Sequence, residues 1–142
     1  MNILEIFDGR DKEERLSHIR NLIVLSLRDD TPSKEEFEII KNVGTRIGLT
    51  ETDLKRILER PESIEFIAPK DDDERIEQLY DMVAVMMVDG KIDSREINYC
   101  KTVAIKLGFV PEVIDEIIAQ LIDLIVEGIT VEIVKTKLKA LL

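Results

Sequence analysis

The sequence predicts an all-α fold: a single-domain bundle of about seven or eight helices over residues 1–142, built from two helical repeats related by a pseudo-twofold axis. Three observations lead there. Apolar residues recur three and four apart through nearly every segment, which is the period of a helix with one buried face. Residues 22–58 align without a gap on residues 82–118 at a constant offset of 60, with identities at Asp29/Asp89, Glu36/Glu96, Lys41/Lys101, Val43/Val103, Gly48/Gly108 and Ile57/Ile117. Helix punctuation falls where the periodicity breaks, with Ser33 and Thr50 as N-caps, Gly48 and Gly108 as stops, and Pro111 at a first turn.

Taken in order, Leu16, Ile19, Leu22, Ile23 and Ser26 mark one face of a first long helix, roughly Asp11 to Arg28. Ser33-Lys34-Glu35-Glu36 is a capping box. The helix it opens carries Phe37, Ile40, Val43, Gly44 and Ile47 inward and stops at Gly48. Thr50 starts a short helix with Leu54, Ile57 and Leu58 on one face. The connector from Arg60 to Asp73 begins with a helical turn at Pro61, then runs extended. Ile64, Phe66 and Ile67 predict that it packs on the domain. Asp71 to Glu74 favour the next helix start through the dipole. Met82 to Val88 is apolar all round and predicts an enclosed central helix, with Leu22 to Leu27 as its partner. Asp93-Ser94-Arg95-Glu96 repeats the capping box and opens a helix to Gly108. Pro111 opens another to about Glu127, and Thr130 caps a last helix.

The chain carries 30 acidic against 20 Lys and Arg residues, a net charge of −10. Such a surface repels phosphate backbones, so no nucleic-acid partner is expected. Lys135, Lys137 and Lys139 suit a helix C-terminus. Cys100 is the single cysteine, which excludes an intramolecular disulfide and a thiolate metal cluster. The segment Met1 to Arg10 lacks the apolar run of a signal peptide. The longest apolar stretches fall short of the about 20 residues that span a bilayer. Cytoplasmic localisation is expected, with no membrane span.

The informative polar residues lie where each central helix turns into the next. The second copy reads Asp89-Gly90-Lys91-Ile92-Asp93-Ser94-Arg95-Glu96, and the first reads Asp29-Asp30-Thr31-Pro32-Ser33-Lys34-Glu35-Glu36. D-G-x-I-x-x-x-E is the back half of a calcium loop. The two front ligand positions are Val85 and Met87, so an ordinary EF-hand is excluded. Capping accounts for Asp93, Ser33, Glu96 and Glu36. It does not account for Asp89 and Asp29, acids at helix C-termini that cost about 0.3–1 kcal/mol against the dipole. The next helix N-terminus, a base such as Arg95, or a cation must compensate them.

The run Met86-Met87-Val88-Asp89-Gly90-Lys91-Ile92-Asp93-Ser94-Arg95-Glu96, with Ala104 and Leu107-Gly108 after it, resembles the tellurite-resistance TerB-like family. The resemblance covers about Arg15 to Leu121 and includes Pro61-Glu62-Ser63-Ile64-Glu65-Phe66. It implies a compact all-helical bacterial domain whose acidic turns bind divalent cations and whose members serve metal or stress responses. Asp89 and Glu96 match the motif directly; Asp29 and Glu36 match through the repeat. The first copy departs from it, with Asp30 for the glycine and Pro32 for the isoleucine.

The functional expectation is a non-catalytic accessory module with a protein partner. Calcium or magnesium would bind weakly at Asp89, Asp93, Glu96, Asp29 and Glu36, with no catalytic residue. One alternative is a pure protein–protein scaffold whose acids only cap helices; another is a carboxylate-dependent metalloenzyme. Glu112, Glu116, Asp123 and Glu127 read as a solvated stripe. His18, the one histidine, lies on a helix with no evident acid–nucleophile partnership and reads as a surface or packing residue, and Cys100 reads as core. Nothing in the sequence sets the oligomeric state.

Overall fold

The helical period of the sequence becomes seven α-helices and no strand among the described residues of the computed structural model. The structure describes residues 3–27, 32–88, 90 and 92–141, with side chains for 12–27, 32–88, 90 and 92–140. The helices are α1 (Ile3–Ser26), α2 (Lys34–Arg46), α3 (Glu51–Glu59), α4 (Asp72–Met87), α5 (Ser94–Leu107), α6 (Pro111–Val126) and α7 (Val131–Leu138). Two short 3-10 turns, Pro61–Ser63 and Lys139–Leu141, complete the order. The helix expected from Asp11 to Arg28 instead starts at Ile3 and ends at Ser26. No helix among the described residues is long and apolar enough to cross a membrane.

Helices α1 and α4 form the central pair. They pack on each other; α1 also touches α2, α3 and α5, and α4 touches α2, α5, α6 and α7. Ile19, Leu22, Ile23 and Leu25 of α1 and Leu79, Met82, Val83 and Val85 of α4 are fully buried in one core. Each such side chain contributes about 1.5–3 kcal/mol by leaving water. The enclosure of 82–88 is less complete than its composition predicts, because Ala84, Met87 and Val88 are half-buried. On α2, Ile40, Val43 and Gly44 face inward as expected, whereas Phe37 is 36% exposed and Ile47 is half-buried. Glu36, Ile40 and Val43 mark the middle of the buried face, and Phe37, turned by about 100° from Glu36, falls at its margin.

The ends of α2 and α5 are built alike. After α2, Gly48 has φ 85°, Leu49 N–H donates to the Gly44 carbonyl at 2.8 Å, and Leu49 is buried. After α5, Gly108 has φ 105°, Phe109 N–H donates to the Ala104 carbonyl at 3.1 Å, and Phe109 is buried. Both are six-to-one closures that need a left-handed residue before an apolar anchor. The helix starts Lys34 and Ser94, like Glu51 and Pro111, stand 60 residues apart.

The connector between α3 and α4 packs on the core. Ile64 is buried, Ile67 N–H donates to Ser17 Oγ at 2.9 Å, and Lys106 Nζ sits 5.6 Å from the centroid of the Phe66 ring. Arg75 then ties the start of α4 to its approach, donating to the Pro69 carbonyl at 3.0 Å, the Lys70 carbonyl at 2.9 Å and Asp72 at 3.0 Å.

Candidate functional site

The motif acids divide into two groups. Asp29 and Asp89 lie outside the described residues. Glu36, Asp93 and Glu96 stand on the first turns of α2 and α5, where the sequence puts them. Glu36 is buried at 7% exposure, its Oε1 accepting the Ser33 N–H at 2.9 Å while Ser33 Oγ accepts the Glu36 N–H at 3.1 Å. That is the predicted capping box. Asp93 caps α5 through the second helical residue rather than the third. Its Oδ1 accepts the Arg95 N–H at 2.7 Å, and its Oδ2 accepts from Arg95 Nη2 at 3.0 Å. The Arg95 side chain, and then its N–H, hold the Asp93 carboxyl below its ordinary range. Glu96 is 4% exposed and lies one turn before the buried Cys100 on α5. Burial, and secondarily Glu96, push the Cys100 thiol up to about 12, which fits a core residue. Among the described residues no three histidine, cysteine or carboxylate side chains are arranged to hold a metal ion.

The second constellation was not read from the sequence. His18 is buried at 3% exposure, and its Nε2 lies 2.8 Å from Asp81 Oδ2. The same oxygen accepts from Arg46 Nη2 at 2.7 Å. Arg46 Nη2 also lies 3.2 Å from Glu77 Oε1, and Lys135 Nζ lies 2.8 Å from Glu77 Oε2. His18 is thus a packing residue, one of the two expectations for it, and it pairs with an acid that the sequence reading did not name. Sequence carried a signal: His18 is one turn before Leu22 on the buried face of α1, and Asp81 interrupts the apolar residues Leu79 and Met82. A buried acid needs a partner, and the histidine was the available one on the helix predicted to pack there.

The charges in this network support one another. Burial works against the Arg46 charge, but Asp81 and then Glu77 outweigh it and raise its pKa. The Glu77 hydrogen bond, aided by Glu132, raises Lys135 as well. Lys139 Nζ pairs with Asp73 at 2.8 Å, so the C-terminal lysines fasten α7 and its extension to α4. Tyr80, beside Asp81, reaches the Ile129 carbonyl at 3.3 Å; burial, and then Asp81, raise its phenol.

The network forms part of a cleft of about 270 Å³. Arg15 and His18 of α1, Arg46 at the end of α2, and Glu77, Gln78 and Asp81 of α4 line it. Arg15 closes one side by donating Nη1 to the Ile47 carbonyl at 2.9 Å. Its lining side chains offer charge and hydrogen bonds, which suits holding a polar group. The acidic stripe of α6, Glu112, Glu116, Asp123 and Glu127, is exposed as expected. No family model, no curated protein and no solved structure matches this chain.

Proposed function

We propose that this protein is a non-catalytic binding module of the TerB-like kind, built from two copies of one helical unit related by a pseudo-twofold axis. In this reading it serves a protein partner, with a link to metal or stress response, and takes a hard divalent cation weakly at its acidic turns. One observation carries the reading. The carboxylates buried among the described residues are Glu36, Asp81 and Glu96, and two of these three are the glutamates that close the repeated acidic motif. Glutamate is seldom buried without a specific use, and here it is buried at equivalent places. The recurrence of helix starts and of the glycine closures at the 60-residue offset supports the duplication.

A specific observation also favours a second reading, a scaffold whose acids do no more than cap helices. Glu36 is already engaged by Ser33, and both Asp93 oxygens by Arg95. A cation at the second copy must compete with Arg95 for Asp93, which is a reason to expect weak affinity. Calorimetric titration with calcium and magnesium at millimolar concentration separates the two. The cation reading predicts saturable heat that Asp89→Asn or Glu96→Gln removes and that Arg95→Gln strengthens. Absence of heat in both the wild type and Arg95→Gln leaves the scaffold.

A further inference from the structure

The groups around the cleft between α1, α2 and α4 hold more hydrogen-bonding capacity than the protein uses. Gln78 lines the cleft at 9% exposure, and its amide makes no hydrogen bond among the described residues. His18 Nδ1 is buried with no hydrogen-bond partner. Arg46 meets both Asp81 and Glu77 through Nη2, which leaves Nε and Nη1 as donors. Asp81 receives His18 and Arg46 on Oδ2, and neither contact falls on Oδ1. The Arg46 side chain is 44% exposed, so its spare donors, like the Gln78 amide, open onto the cleft, where a ligand can take the place of water against them.

The charges say what kind of thing. Four carboxylates, Glu14, Glu74, Glu77 and Asp81, line the cleft with two guanidinium groups, Arg15 and Arg46. The signs are interleaved: Arg46 Nη2 and Asp81 Oδ2 are 2.7 Å apart. A ligand of one charge meets a like charge beside its partner, whereas a ligand with both charges a few ångströms apart meets two opposite ones. The planar fork of a guanidinium matches a carboxylate. At about 270 Å³ the space lies below the range of about 300–1,000 Å³ that holds drug-sized ligands.

We propose that this cleft binds a small zwitterion, an α-amino acid, with its carboxylate on Arg46 and its ammonium on Asp81 and the Gln78 amide oxygen. The site uses none of the acids of the helix–helix turns and stands independently of the TerB-like reading.

The test is calorimetric titration of the full chain with each of the common L-α-amino acids, and with acetate and ethylammonium as ligands of one charge. At least one amino acid should give a saturable isotherm, with acetate and ethylammonium weaker by about tenfold or more, the factor for losing one charged hydrogen-bonded contact. Because Arg46 also holds Asp81, the informative variant is Gln78→Leu. It removes an amide without a partner in the protein, so the melting temperature should stay or rise while amino-acid affinity drops by about fivefold or more. The proposal is overturned if no amino acid binds, if acetate or ethylammonium binds as tightly, or if Gln78→Leu binds like the wild type.

Discussion

His18 and Asp81, 63 residues apart in the chain, meet at 2.8 Å between Nε2 and Oδ2 with both side chains 4% exposed. The contact joins the two central helices beside the cleft that both residues line. Arg46 adds α2 to it at 2.7 Å. Replacing the shared acid by an amide removes the charge that the buried imidazole meets and leaves Arg46 with Glu77 alone as its carboxylate.

Asp81→Asn should therefore destabilise the protein by about 2–4 kcal/mol, toward the cost of breaking a buried pair from one side. For a chain of this size that is a fall in melting temperature of roughly 10 °C. Urea unfolding followed by circular dichroism measures it. A variant that melts with the wild type would show that the network carries no stability.

The core prediction is simpler. Val85 and Met86 are buried at 0% and 1% exposure with apolar neighbours. Val85→Asp or Met86→Asp should abolish folding, because an unpaired charge there costs more than the whole margin of about 5–15 kcal/mol once its partial neutralisation and the lost packing are counted together. Glu112, exposed on α6, should tolerate Gln within about 0.5 kcal/mol. Thermal melts that rank these variants in the opposite order would contradict the inside–outside assignment.

Cys100 supplies a pH prediction. Its thiol titrates near 9.0 when exposed and at about 12 in the fold. Between those values the folded chain holds a proton that the unfolded chain has lost, so stability is fully present below pH 9 and declines as pH rises toward 12. Cys100→Ala should flatten that alkaline decline, apart from what Tyr80 and the lysines add. In the native protein at pH 8 the thiol should resist maleimide labelling, and it should react rapidly in guanidinium. Prompt native labelling would contradict the burial.

Much of the fold was legible because helix signals are local. Ser33, Thr50, Gly48 and Gly108 mark helix ends through their own backbone chemistry, and the structure uses each for that purpose. Phe37 misled because its spacing put it near the apolar face without saying how wide that face is. The His18–Asp81–Arg46 network was hidden for a different reason. Asp81 among apolar residues and His18 on the inner face of α1 each signalled a buried polar group, but their meeting with Arg46 depends on how α1, α2 and α4 pack. The turn acids were legible as caps. The cation role proposed for them depends on where Asp29 and Asp89 stand, and those residues lie outside the described part of the chain.

The central claim, that the repeated acidic turns do more than cap helices, is tested most directly by melting the wild type and Asp89→Asn in chelator and in millimolar calcium or magnesium. A ligand that binds the folded state stabilises it by RT ln(1 + [L]/Kd), so even a weak site shifts the melt at sufficient concentration. The account predicts that the cation raises the melting temperature of the wild type and leaves that of Asp89→Asn unchanged. A wild type that ignores the cation, together with an Asp89→Asn variant that is more stable in chelator, would contradict it and make the acids turn chemistry alone.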